Sequence, residues 1–267
     1  MKKNLAFLAL GLTSLMFFAS CKKDSTNANP ETLTGGAPAS ADLQLATTAS
    51  YVYSSNNNFA SYTDNGSYGV YNDAWGTGTD HTQTLNVWST THWNVVTNQP
   101  TGGNAVKTYP HSTRQVNKLI GSLNTCTSSF NYTVPSSWTG DRAYDVWAGS
   151  SDKYEIMIWM GRDNNFNPLA DAYNGSGAVP SYTNVNVGGH TYNVYHKYWA
   201  NTGKYVFSFV RTANTSSGTV NIKDVLNWIR NTPKWMGNEN VNRIEFGFEI
   251  GSGSGTWTMN SFSATVN

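Results

Sequence analysis

Apolar and polar residues alternate along most of this chain in short runs cut by Gly, Asn, Pro and Ser. A period of two is the mark of a strand with one buried face. Tyr68–Tyr71, Thr84–Trp88, Ala143–Trp147, Tyr154–Met160, Tyr192–Tyr195, Tyr205–Val210, Arg243–Ile250 and Thr256–Val266 all read this way. Gly188-Gly189 marks a hairpin between Asn184–Val187 and His190–Val194. One segment changes period. Ile222, Val225, Leu226 and Ile229 share one helical face over Asn221–Arg230, with Asn221 as the cap and Pro233 as the stop. Many strands, one helix and no internal repeat predict a single all-β domain over residues 49–267. The expected architecture is a jelly-roll sandwich of two antiparallel sheets, one of them concave and carrying a cleft. Ile156, Ile158, Phe246 and Phe248 fall in the layer between the sheets.

The first 48 residues follow no such pattern. Lys2 and Lys3 precede an apolar run from Leu5 to Phe18, too short for a comfortable membrane span. The run ends Phe18-Ala19-Ser20-Cys21, which resembles a bacterial lipoprotein box. Residues 1–20 are therefore expected to be a lipoprotein signal peptide and Cys21 the lipidated first residue of the mature chain. Residues 21–48, rich in Ser, Thr, Asn, Ala, Gly and Pro, read as a flexible tether. The expected location is outside the cytoplasm, anchored by lipid and facing periplasm or cell surface, or secreted if Cys21 is not acylated.

Composition narrows the function classes. The net charge is +1 with 12% charged residues, so no basic field points to nucleic acid. Cys126 is the only cysteine left after Cys21, which excludes an intrachain disulfide framework in the domain. His81, His92, His111, His190 and His196 are scattered without metal-ligand spacing, and no metal or cofactor is expected. Aromatics are abundant, with 10 Trp, 15 Tyr and 11 Phe. Most serve as core in an all-β protein. A surplus of Trp beside Asn, Ser and Thr also suits sugars, whose C–H faces stack on indole while their hydroxyls seek amides and carboxylates.

The strand pattern itself carries the chemistry. Side chains alternate faces along a strand. Ile156, Ile158 and Met160 therefore point one way, and Glu155, Met157 and Trp159 the other. Phe246, Phe248 and Ile250 lie opposite Glu245, Gly247 and Glu249; Tyr144 and Val146 lie opposite Asp145 and Trp147. Three strands thus send carboxylates to the face opposite their apolar stripe, beside Met, Trp and Gly rather than beside bases. Facing carboxylates next to aromatic platforms are what glycosidic-bond cleavage needs.

These residues carry a resemblance. Tyr154-Glu-Ile-Met-Ile-Trp-Met-Gly161 resembles the nucleophile motif of glycoside hydrolase family 12, the small β-jelly-roll endoglucanases. Phe246-Gly-Phe-Glu249 is similar to its acid/base motif, and Ala143-Tyr-Asp-Val-Trp147 to the segment bearing its third acid. Tyr71-Asn-Asp-Ala-Trp-Gly76 and Asn104-Ala-Val-Lys-Thr-Tyr109 resemble further family segments, in the same order along the chain. The resemblance implies Glu155 as nucleophile, Glu249 as general acid/base and Asp145 as a hydrogen-bonding partner near the nucleophile. It implies that Met157 and Trp159 support the sugar at the cleavage point, and that Asn72 and Trp75 hold sugars further along. Trp147 and Glu245, on the same face, are expected substrate contacts, and like charge from Glu245 is expected to raise the pKa of Glu249. The implied reaction is retaining hydrolysis of β-1,4-glucan by a monomer. It needs a protonated Glu249, an ionised Glu155 and two carboxyl groups about 5–5.5 Å apart. Preference for xyloglucan or mixed-linkage glucan stays open, as does a non-catalytic glucan-binding lipoprotein of the same fold.

Overall fold

The computed structural model describes residues 50–267 except 65, 77–80, 101–104 and 164–165. The expected signal peptide, Cys21, the tether and Asn104 lie outside the described residues. In chain order the strands are β1 Tyr53–Ser55, β2 Ser61–Thr63, β3 Tyr68–Tyr71, β4 Thr82–Ser89, β5 His92–Gln99, β6 His111–Leu119, β7 Cys126–Thr133 and β8 Trp138–Ala148. They continue as β9 Tyr154–Arg162, β10 Tyr173–Asn174, β11 Gly177–Ala178, β12 Tyr182–Val187, β13 His190–Trp199, β14 Lys204–Arg211 and β15 Ser217–Asn221. Helix α1, Ile222–Asn231, then leads to β16, Asn240–Val266.

Two layers form the jelly roll. The cleft layer runs β2-β3-β6-β16-β8-β9-β14-β13-β12, and the outer layer β1-β4-β5-β16-β7-β15. Strand β16 belongs to both. Its first half pairs with β6 and β8; from Gly253 onward it pairs with β5 and then β7. Pairing in both layers is antiparallel except between β9 and β14. The small β10–β11 hairpin stands apart.

Ile156, Ile158, Phe246 and Phe248 are fully buried between the layers, as the alternation requires. Phe246 packs against Tyr144 and Phe130 with ring centroids 4.4 and 4.9 Å apart, and Trp93 meets Phe248 edge-on at 5.6 Å. Such aromatic pairs contribute about 0.5–1.5 kcal/mol each beyond their buried area. The helix buries Ile222, Val225, Leu226 and Ile229, and the Asn221 side chain accepts from the Asp224 N–H as its N-cap.

Two expectations change. The runs Arg243–Ile250 and Thr256–Val266 are one strand, because Gly253 and Gly255 adopt positive φ and let the chain bend from one layer to the other without breaking the ladder. Strand β6 has no clear apolar stripe: its Ser112 faces inward to accept from the Trp93 indole at 2.7 Å, and Thr113 faces the cleft. Polar residues on both faces conceal it from a periodicity argument.

Candidate active site

The register of β16, β8 and β9 stacks the cleft-face side chains in rows. Arg243, Trp147 and Glu155 form one row; Glu245, Asp145 and Met157 the next; Gly247, Ala143 and Trp159 the third. Glu249 lies beyond them, level with Asp141. Glu245 and Glu249 are four residues apart on one strand, about 14 Å if fully extended, so they stand at different positions along the cleft. Glu155 and Glu249 are near enough for their charges to interact, and Asp145 feels both.

Burial sorts these five acids. Asp141, Asp145 and Glu245 are 0, 3 and 6% exposed, whereas Glu155 and Glu249 are partly open to the cleft. The two accessible carboxyls are the two that the family motifs select.

A cluster of acids in so little water resists ionising. Burial first, then the neighbouring Asp141 charge and a hydrogen bond with Asp141, hold Glu249 well above the usual carboxylate range. Glu155 is pushed up to about 7, by burial first and then by Glu245, while Lys204 and Arg243 pull it back. Asp145 is raised well above its ordinary value by burial and then by Glu155. The raised Glu249 carboxyl favours its proton, as a general acid requires. The rise at Glu155 departs from the expectation of a carboxylate at ordinary acidity. Its first cause is burial and its second the buried neighbour Glu245, for which Lys204 and Arg243 compensate only in part.

Asp141 escaped the sequence reading. Neither of its oxygens finds an N–H or O–H donor, and what it meets is another carboxyl, Glu249, so the pair can bond only through a retained proton. The signal was present: extending the β8 alternation two residues upstream of Ala143 puts Asp141 on the face of Asp145.

Glu245 departs from its expected role at Glu249. Its Oε1 accepts from Arg243 Nε at 2.6 Å, its Oε2 accepts from Trp147 Nε1 at 2.8 Å, and His111 Nε2 stands 3.6 Å away. Buried and bonded to its neighbours, it lines a cavity with Asp73 and His111; its charge acts on Glu155 and Asp145, and the acid beside Glu249 is Asp141. Arg243 also donates to Asp152 at 2.8 Å and lies over the Trp147 ring, 4.9 Å from its centroid. Trp147 itself is partly exposed and remains available to a sugar.

Three other expected contacts sort the same way. Trp75 is 49% exposed, and the backbone N–H groups of Trp75 and Gly76 both donate to the Lys107 carbonyl, which holds the indole at the cleft margin. Asn72 is fully buried, its Nδ2 donating to the Asn57 carbonyl and its Oδ1 accepting from Gln83, so it braces this corner instead of touching a sugar. Trp159 is 2% exposed because Phe166 stacks on it at 5.7 Å. It supports the floor, with Met157, from below. Among the described residues no cluster of His, Cys, Asp and Glu suits a metal ion.

Comparison with known proteins agrees with this geometry. The sequence profile of Glycosyl hydrolase family 12 matches residues 50–267. Endoglucanase S of Pectobacterium parmentieri is 30% identical over 242 residues, spanning 80% of this chain and 87% of the relative. The xyloglucan-specific endo-beta-1,4-glucanase A of Emericella nidulans is 26% identical over 219 residues, 76% of this chain and 87% of that one. Among solved structures, the xyloglucanase domain of NopAA, a type three effector from Sinorhizobium fredii in complex with cellobiose, superposes with a TM-score of 0.75 at 37% identity, over 81% of this chain and 99% of its own. A jelly roll whose cleft presents this pair of glutamates, matched along the whole described domain, places the chain in glycosyl hydrolase family 12.

Proposed function

We infer that this chain is a retaining endo-β-1,4-glucanase that cleaves internal bonds of cellulose-type glucans by double displacement. The observation that carries the reading is that, of the five acids that β8, β9 and β16 place on the cleft face, Glu155 and Glu249 are the two that are not buried. Glu249, protonated, gives its proton to the leaving oxygen. Glu155 attacks the anomeric carbon and forms a covalent glycosyl-enzyme. Water, deprotonated by the Glu249 carboxylate, then releases the sugar with retained configuration. Asp145, whose buried carboxyl favours its proton, donates a hydrogen bond near the nucleophile.

Reducing-end release from carboxymethylcellulose, barley glucan and xyloglucan, measured side by side, tests the reading. Glu155→Gln should abolish release from all three while glucan binding persists. Glu249→Ala should lose about 10²–10⁴-fold on glucan and far less on an activated aryl glycoside, whose leaving group needs no proton. Glucan binding without release by the wild type would leave only the non-catalytic reading. A preference for branched glucan has its own support, a cavity of about 450 Å³ beside Glu245, lined by Tyr71, Asp73, His111 and Arg243, with room for a substituent on the main chain. A higher rate on xyloglucan than on barley glucan would favour it.

The enzyme is further proposed to be exported and held at a membrane by acylated Cys21, with residues 21–48 as the tether and a monomeric catalytic domain. The Phe18-Ala-Ser-Cys21 segment supports this. Among the described residues no helix is long and apolar enough to cross a membrane. Cys21→Ala should move activity from the membrane fraction to the soluble one; wild-type activity already soluble would end the proposal.

A further inference from the structure

The row that contains Glu155 continues past the catalytic centre. Val206 on β14 and Lys197 on β13 extend it, and Lys204 and Trp199 form the next row outward on the same face. These residues make the arm of the cleft opposite Trp75, which sits beyond β3 on the other side. Lys197 lies two strands from Glu155, about 10 Å along the sheet.

The two lysines are set over indoles. Lys197 Nζ stands 5.6 Å from the Trp199 ring centroid, and Lys204 Nζ 5.8 Å from that of Trp147. Cation–π contact holds an ammonium group in place without neutralising it. Among the described residues neither lysine forms an ion pair; Lys204 acts at longer range on Glu155 and Asp152, while Asp152 is bonded to Arg243 and Asp171 to His196. Trp199 is 38% exposed, so a ring face is available for stacking beside the charges. The chain as a whole is nearly neutral, at +1, which makes two unpaired cations on a substrate-binding face a local feature and not a general basic surface.

We propose that Lys197 and Lys204, with Trp199 as the platform, form a subsite for an anionic sugar unit, a uronate or another carboxylate-bearing residue of a β-glucan. The inference rests on the glucanase reading for the direction of the cleft and extends it to the class of substituent that the chain prefers. A carboxylate beside Lys197 would gain a charge-assisted hydrogen bond while its pyranose ring lies on the Trp199 indole, and Lys204 on the neighbouring strand adds an attracting charge.

The test compares an anionic with a neutral glucan derivative. The protein carrying Glu155→Gln is run in affinity gels containing carboxymethylcellulose or hydroxyethylcellulose, and the ratio of the two dissociation constants is the readout. The anionic polymer should bind more tightly. Adding Lys197→Gln and Lys204→Gln should reduce the ratio about threefold each and about tenfold together, the scale that exposed ion pairs supply. The preference should also shrink in salt, because such pairs are screened. Parallel kcat/KM ratios in the active enzyme should follow the same order. Lys204 also acts on Glu155, so Lys204→Gln alone is ambiguous and Lys197→Gln decides the matter. An unchanged ratio in the double variant, or no preference in the parent protein, would overturn the subsite. Failure to hydrolyse any neutral glucan would overturn the glucanase reading instead, and the gel ratio would still decide the subsite.

Discussion

Asp141 is fully buried, has no N–H or O–H donor within reach, and faces Glu249 across the β8–β16 ladder. A carboxylate so placed steadies the proton that Glu249, the proposed general acid, would deliver. Replacing it by Asn removes the charge while keeping shape. The carboxyl of Glu249 in Asp141→Asn should therefore titrate at lower pH than in the parent, read by carbon-13 NMR of labelled glutamate; an unmoved midpoint would assign the whole rise to burial. The placement of Glu155, Glu249 and Asp145 on one face was legible because each stands in a short alternating run beside Met, Trp or Gly. Asp141 was missed at the ragged start of such a run, next to Gly140 and Arg142. The fates of Asn72, Trp159 and Glu245 were not legible at all. Whether a polar or aromatic side chain meets a sugar or a neighbour depends on Gln83, Phe166 and Arg243, which come from distant parts of the chain.

At the scale of the element, β16 decides most of the architecture, and its glycines make that possible. Gly247 lies between Glu245 and Glu249, where a Cβ would stand 2.1 Å from the Pro110 carbonyl oxygen and 2.7 Å from the His111 Cβ. The strand can pass beneath the turn into β6 only because that atom is absent. Gly247→Ala should cost about 1–3 kcal/mol of stability in urea unfolding and reduce activity, since Glu249 rides on the displaced strand. Gly175, with nothing within 4 Å of its would-be Cβ, is the control, and Gly175→Ala should leave stability nearly unchanged. Helix α1 and the hairpin at Gly188-Gly189 were readable locally because caps and turns involve neighbours in sequence. The continuity of β16 was not. A Gly-Ser stretch reads as a break between strands, and only the partners β5, β7 and β8 turn it into a crossing.

For the whole molecule, the acid cluster is a reservoir of instability. Asp141, at about 8, and Glu155, at about 7, bind protons more tightly in the folded protein than in an unfolded chain, and burial is the first cause for both. Asp145 and Glu249 are shifted in the same direction. Folding then takes up protons, so this contribution to stability is complete below about pH 4, where the unfolded acids are protonated, and is lost as pH rises through 7 to 8. The melting temperature of the empty enzyme should fall between pH 5 and 8, and the fall should flatten in Asp141→Asn combined with Glu249→Gln. A slope unchanged in that double variant would place the loss elsewhere. The shared strand β16 has one more consequence, in the order of events during synthesis. Its partners β5, β6, β7 and β8 all precede it in the chain, so each must wait with an open edge until residues 240–266 emerge. Pairing of such sequence-distant segments is slow, and the same strand carries Glu249, the proposed general acid. A nascent chain is therefore unable to cut glycans before its two layers have joined: completing the fold and acquiring the activity are one event.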